Sequence, residues 1–303
     1  MRFSIFQESR KGARKANQDR TSYAYTRDAL LMVVADGMGG HLHGEVASQI
    51  AVQLLTEAFQ REAKPMIPDP ATFLQKSILD AHFALGDYAK ARNLVESPRT
   101  TCVACVVQDA MAYWAHAGDS RLYHVRDGRI NAQTRDHSRV QMLVDQGRVR
   151  EEAVAAHPDR NKIFNCVGAA ARPQVELSKP APLREDDTVI LCSDGLWGPL
   201  TGKLITATLM KRDLMKAIPE LLDLAELRAG AECDNLSVVA MNWEGARSGP
   251  AGEVSTQTLA LDGVSTQLGD FSKADNSDLS DQEIERAIQE IREAIRKHMP
   301  QKP

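Results

Sequence analysis

The run Leu30-Leu31-Met32-Val33-Val34-Ala35-Asp36-Gly37-Met38-Gly39-Gly40-His41 decides how the rest of the chain is read. Its first half is unbroken apolar sequence. Alternate side chains of a strand point to opposite faces, so a strand without polar alternation is buried on both faces. The strand then ends on a carboxylate. Burying a charge at Asp36 is costly unless something compensates it, and metal coordination does so. Gly37 lets the backbone approach closely, which makes its carbonyl available as a ligand. Val189-Ile190-Leu191-Cys192-Ser193-Asp194-Gly195 repeats the arrangement. A single Asp-Gly is a common turn dipeptide; two of them, each closing a buried strand, point to carboxylates mounted on rigid strand ends. Asn17-Gln18-Asp19 and Asp234-Asn235 add further acidic motifs, the latter just before a strand beginning at Leu236. An all-oxygen donor set favours Mg²⁺ or Mn²⁺ over zinc.

Outward from this run, strands are expected at 3–7, 30–35, 100–108, 111–117, 121–126, 174–177, 188–192 and 236–242. The short links Asp109-Ala110 and Gly118-Asp119-Ser120 suit tight antiparallel turns. Helices are expected at 45–59, where Val46, Ile50, Leu54 and Ala58 share a face, at 72–93 between flanking prolines, and within 201–229. A polar, partly helical section covers 136–160. Strands in hairpin order with clustered helices predict an α+β domain of two packed sheets over 1–243. The sequence from 244 to 279 reads as a linker, rich in Ser, Thr, Gly and Asp. An amphipathic helix follows at 280–299, with a capping box of Ser280 and Glu283, a staple of Leu279 on Ile284, and a stripe of Ile284, Ile288, Ile291 and Ile295. This helix either docks on its own body or serves a partner or self-association.

The chain has 303 residues and a formal net charge of -4, from 37 basic and 41 acidic side chains. That balance supplies no broad field for nucleic acid or an anionic membrane surface. No apolar stretch is long enough to span a membrane, and the N-terminus lacks a signal-peptide core. The five cysteines read as free thiols of a cytoplasmic protein. Cys102 and Cys105 form a C-x-x-C, but residues three apart on a strand face opposite ways, and no second pair completes a zinc site. His41-Leu42-His43 starts a metallo-β-lactamase-like His-x-His-x-Asp-His signature that fails at Glu45 and Val46. Gly37 to Gly40 lacks the Lys-Ser/Thr of a nucleotide loop. Arg14 is the best candidate for gripping phosphate, since a guanidinium holds two oxygens at once; its neighbours Arg10, Lys11, Lys15 and Arg20 read as a solvated basic stretch.

Taken in order, the motifs resemble the metal-dependent protein phosphatases of the 2C type in their bacterial form. The resemblance runs through Gly12 to Arg20, Ala35 to His41 with Gly44-Glu45 and Ala47-Ser48, and Thr100-Thr101. It continues through Ala117 to Arg121, Asp136-His137-Ser138, the Gly168 region, Ser193 to Trp197 and Asp234-Asn235. It spans 1–243 and leaves the tail uncovered. It implies a sandwich of two antiparallel sheets with helices on both outer faces, and hydrolysis of phosphoserine and phosphothreonine on proteins by water activated at two Mn²⁺ or Mg²⁺ ions. It further implies that Asp36 bridges the ions and Gly37 lends its carbonyl, that Asp194 and Asp234 complete the second ion's shell, and that Asp19 sits beside the cluster. Asp119 would share a third, weaker ion with Asp194, Arg14 would bind the phosphoryl group, and 141–160 would be a flap bordering the site. Gln18 stands where many relatives carry Glu, Arg99 replaces a glycine, and Met38 stands where eukaryotic members carry a histidine, leaving His41 or a metal-held water as the proton donor. The implied partners are phosphorylated proteins and a serine/threonine kinase whose action is reversed. Two other readings keep the fold: a non-catalytic signalling or scaffold module, and an enzyme for a small phosphorylated molecule.

Overall fold

The computed structural model describes residues 1–38, 43–150, 153–154, 157–210 and 213–245. In chain order the strands are β1 (Arg2–Arg10), β2 (Asp19–Tyr25), β3 (Ala29–Met38), β4 (Arg99–Thr100), β5 (Cys102–Gln108), β6 (Met111–Ala117), β7 (Arg121–Arg126), β8 (Arg129–Gln133), β9 (Glu176–Leu177), β10 (Ala181–Pro182), β11 (Thr188–Cys192) and β12 (Leu236–Gly245). The helices are α1 (Gly44–Glu62), α2 (Pro70–Ala91), α3 (Arg139–Asp145), α4 (Asp194–Trp197), α5 (Gly202–Leu209) and α6 (Leu214–Ala229). One sheet has the order β1-β12-β11-β7-β8; the other runs β10-β6-β5-β3-β2, with β4 on β3 and β9 on β6. Every pairing is antiparallel.

The apolar run of β3 is explained by two cores. Leu30, Met32 and Val34 pack with Val103, Cys105, Leu122, Val189, Leu191, Val239 and Met241 between the sheets. Leu31, Val33 and Ala35 face the other way, against Val46, Ile50, Phe59, Phe73 and Leu85 of α1 and α2. The second sheet does the same: Tyr123, Ile190, Val238 and Ala240 meet Leu196, Ile218, Leu221 and Leu222 of α4 and α6. The result is helix, sheet, sheet, helix, the expected architecture. Cys102 and Cys105 fall in different cores and are free thiols, as strand spacing requires.

Three strands carry no sequence signal strong enough to predict them: β2, β8 and the two-residue β10. In β2, Asp19, Thr21 and Ser22 are buried polar residues, and no apolar run marks it. β8 is an edge strand of alternating exposed positions, with Ile130 and Ala132 as its only apolar side chains. α2 starts at Pro70, two residues before the expected start at Thr72, because the proline occupies the first turn, where its missing N–H costs nothing, and Asp69 accepts from Thr72 N at 3.1 Å. β12 runs to Gly245, two residues past the boundary expected at Trp243. The rest of the 244–279 linker and the 280–299 helix lie outside the described residues. No described helix is long and apolar enough to cross a membrane.

Candidate metal centre and its support

Antiparallel pairing sets Asp19, the first residue of β2, directly opposite Asp36 near the end of β3. The backbone around Asp36 is fixed: its N–H donates to Thr101 Oγ1 at 3.0 Å, and its carbonyl accepts from Thr101 N and Thr100 Oγ1, both at 2.8 Å. Gly37 is required by a close approach, since a Cβ there would lie 2.1 Å from Gly44 O and 2.6 Å from Gln18 O. From the other sheet, Asp194 opens α4 after β11, and Asp234 precedes β12. Asp119 occupies the turn between β6 and β7. Asp36 feels the charges of Asp19, Asp194, Asp119 and Asp234, so the ends of both sheets converge on one acidic centre.

The electrostatics of this centre are unfavourable as it stands. Asp19 and Asp119 are each 2% exposed. Burial, then the neighbouring carboxylates, raise Asp36 and Asp119 well above the ordinary carboxylate range, and bring Asp194 to about 7. Burial likewise brings Asp19 to about 6, although Ser193 Oγ donates to its Oδ2 at 2.7 Å. Asp19 Oδ1 and Asp119 Oδ1 are buried with no hydrogen-bond partner. No three of these aspartates bring carboxylate oxygens within 4.8 Å of one another. Orphaned, buried carboxylate oxygens in an all-oxygen set fit hard divalent cations.

Among the basic residues of the N-terminal stretch, Arg14 is the one that meets this centre: its Nη2 donates to Asp234 Oδ2 at 2.6 Å, and its side chain remains half exposed. Arg10 is engaged by Glu8, Asp223 and Glu226, and Arg20 by Glu45, Gln49 and two backbone carbonyls. His41 lies outside the described residues. His43 stands at the N-cap of α1 without a side-chain capping bond.

Sequence reading missed the residues that hold the acidic side chains. Asn235 is the hub of the N-terminal loop: its Oδ1 accepts from Gln18 N at 2.9 Å, while its Nδ2 donates to Lys11 O at 2.8 Å and Ala16 O at 3.0 Å. Ser193 Oγ accepts from Ser237 N at 3.0 Å while bonding Asp19. Trp197 Nε1 donates to Asp119 O at 3.0 Å, and the Arg121 guanidinium lies 3.6 Å above the Trp197 ring while gripping Asp136 at 2.8 and 2.7 Å. All lie inside the quoted motifs, but their atoms act across the chain, which no local pattern reveals. Beside the Asp119 turn, His116, His137 and Glu176 form the one described group of His, Cys, Asp or Glu whose ligand atoms lie within 4.8 Å of one another.

The profile of the family described as Protein phosphatase 2C matches residues 7–225. The chain belongs to that family. Membership makes it a protein phosphatase, and its relatives carry the matching name. Serine/threonine phosphatase stp of Listeria innocua is 32% identical over 193 residues, covering 63% of this chain and 76% of the relative. Serine/threonine protein phosphatase PstP of Mycobacterium tuberculosis is 33% identical over 232 residues; the match covers 76% of this chain and 43% of that longer protein. A solved structure of the catalytic domain of PstP in complex with two manganese ions superposes with a TM-score of 0.66 at 29% identity, covering 80% of this chain and 97% of that one. The antiparallel sandwich with flanking helices is therefore the fold of the family.

Proposed function

We propose that the chain hydrolyses phosphoserine and phosphothreonine on proteins at a centre of two Mn²⁺ or Mg²⁺ ions, reversing a serine/threonine kinase in bacterial signalling. Asp36 is assigned to both ions with the Gly37 carbonyl, Asp194 and Asp234 to the second, and Asp19 to the flank of the pair. Asp119 and Asp194 are assigned to a third, weaker ion. The observation that carries this reading is the pair of buried, unpartnered oxygens, Asp19 Oδ1 and Asp119 Oδ1, among carboxylates whose burial and mutual repulsion Arg14 and Arg121 offset only in part. The ions, when bound, supply Lewis acidity toward a water and toward the phosphoryl oxygens. The chain's own residues do the rest. Ser193 Oγ, by donating to Asp19 Oδ2, leaves Asp19 Oδ1 for the centre, and the contacts of Thr100 and Thr101 hold the Asp36 backbone in place. Arg14 presents a planar fork of donors to the equatorial oxygens of the phosphoryl group, where charge accumulates during in-line displacement. Its pairing with Asp234 at 2.6 Å keeps the fork at the rim of the centre. The catalytic unit is assigned to 1–243 with the last two residues of β12, and 280–299 to targeting or self-association. The manganese in the PstP structure and the names of the relatives support this reading. The test is release of phosphate from a phosphothreonine peptide by the purified protein. Turnover that appears on adding Mn²⁺ and vanishes with chelator is expected; turnover indifferent to both, or none with Mn²⁺ saturating, refutes it.

A further inference from the structure

The group His116, His137 and Glu176 offers itself as a second metal site, and its hydrogen bonds argue against that role. The amide of Asn165 has a fixed orientation: Nδ2 donates to Gln174 O at 2.7 Å and Oδ1 accepts from Gln174 N at 3.0 Å. The remaining N–H of Nδ2 therefore points at His137 Nδ1, 2.7 Å away. Gly118 N points at the same atom from 3.2 Å. Two donors fix Nδ1 as the unprotonated nitrogen, which leaves the ring proton on Nε2, facing Glu176 Oε2 at 3.3 Å. A metal at Nε2 would need that proton to move to Nδ1, where both neighbours are donors.

The same contacts describe a tether. His137 N donates to Gly118 O at 3.0 Å, so His137 and Gly118 are joined by backbone and side chain together. Gly118 has φ +119°, and a Cβ on it would lie 2.6 Å from Thr101 Cβ, so only glycine fits this turn. Asp119 is the next residue. On the other side, Phe164 N donates to His137 O at 3.0 Å, Arg139 N to Lys162 O at 2.8 Å, and Ser138 bridges Ile163. Both ends of the excursion 139–162 therefore close at His137. His116 from β6 stacks on its ring at 4.6 Å and 14°, and bonds Arg135 O through Nε2 at 2.7 Å.

We propose that His137, through its unprotonated Nδ1, is a positioning residue that ties the base of the 139–162 excursion to the Asp119 turn and sets how well Asp119 holds a divalent cation. The cation half of this rests on the functional reading above; the tether half does not. The position of the acceptor within the ring gives the test. Asn at 137 places an oxygen with two lone pairs where Nδ1 stands, whereas Gln places it where Nε2 stands. In the full chain, H137N keeps the exchange protection of the 118–120 amides, while H137Q and H137A lose it by about tenfold or more, the scale of a buried N–H left unpaired. In Mn²⁺ titrations followed by electron paramagnetic resonance, H137Q and H137A weaken the loosest class of bound Mn²⁺ by a similar factor and leave the tighter classes unchanged, and H137N restores it. All variants are first checked for native melting. Equal behaviour of H137N and H137Q in exchange overturns the tether. Asp119→Asn in the same titration separates the two readings: unchanged Mn²⁺ stoichiometry shows that Asp119 holds no cation and sinks the metal half, while the exchange pattern still decides the tether.

Discussion

Replacing Asn235 by alanine removes a hub rather than a ligand, and its cost is legible in the structure. The side chain makes three hydrogen bonds, of 2.9, 2.8 and 3.0 Å, to backbone groups at both ends of the loop that carries Arg14. Asn235 itself is 6% exposed. At about 1 kcal/mol net for each bond, the loss comes to roughly 3 kcal/mol, and more where a partner stays buried and unpaired. For a domain of this size each kcal/mol moves the melting temperature by about 2–4 °C, so Asn235→Ala should melt about 6–12 °C lower. Its far end would stay anchored by Asn17 and Gln18, but the stretch around Arg14 would then hang on Ala13 N to Cys233 O, at 3.0 Å, and on the exposed Arg14–Asp234 pair. Phosphopeptide kcat/KM should fall, chiefly through KM, because the guanidinium is no longer held over the centre. Asn235→Asp should be worse than alanine, because it turns a carboxylate oxygen toward two carbonyls. Calorimetry and steady-state kinetics on the three proteins decide it. If Asn235→Ala melts within about 2 °C of the parent and keeps its KM, the loop is held by something other than Asn235.

Four further outcomes are expected. Asp36→Asn should lower turnover by about a hundredfold or more and weaken Mn²⁺ binding, yet raise the melting temperature of the metal-free protein, because it removes an acid whose ionised form burial and four neighbouring aspartates penalise; near-normal turnover at saturating Mn²⁺ would refute the two-ion assignment. The pH dependence follows in sign. Asp19 and Asp194 are raised to about 6 and about 7, so between the ordinary carboxylate range and pH 7 the folded chain binds more protons than the unfolded one. Their contribution therefore weakens as pH rises through that window, and metal-free melting temperature should fall from pH 5 to pH 7 while Mn²⁺ affinity climbs. Arg14→Ala should lower kcat/KM by about 1–3 kcal/mol in activation terms, with Lys restoring only part; an equal loss for Lys15→Ala would leave Arg14 without a special role. Truncation after Gly245 should leave hydrolysis of a small phosphopeptide intact, and loss of hydrolysis without unfolding would show that the tail belongs to the chemistry.

What could be read from the sequence follows the length scale of each signal. β3, β5 and β11 are apolar on both faces, and their composition announces them; β2 is not, because most of its buried side chains are polar, with Asp19 serving the centre, Ser22 bonding α1 and Thr21 bonding Gln7 of β1. Asp36 and Asp194 are legible because Asp-Gly closing a buried run is a local anomaly, whereas Asp119 stands out only through the family resemblance. Their supports are not, since Ser193, Asn235 and His137 reach partners 174, 217 and 19 residues away in sequence. The pairing of Arg14 with Asp234 likewise needed the fold, which brings together residues 220 apart.

The pairing of β1 with β12, Arg2 opposite Gly245, has a consequence for how the molecule comes into being. Strands are made in order at the ribosome, and β1 emerges first but must wait for the last strand before its edge is covered. Asp234 immediately precedes that strand, so the final acidic residue of the centre and the final strand of the sandwich arrive together. Long-range pairing of this kind folds slowly, because a large loop must close before contacts repay it. An incomplete chain therefore has neither a finished sheet nor a finished set of aspartates. On the proposed assignment of Asp234, a chain cut before β12 lacks both the strand that covers β1 and a ligand of the centre, so its fold and its chemistry fail together.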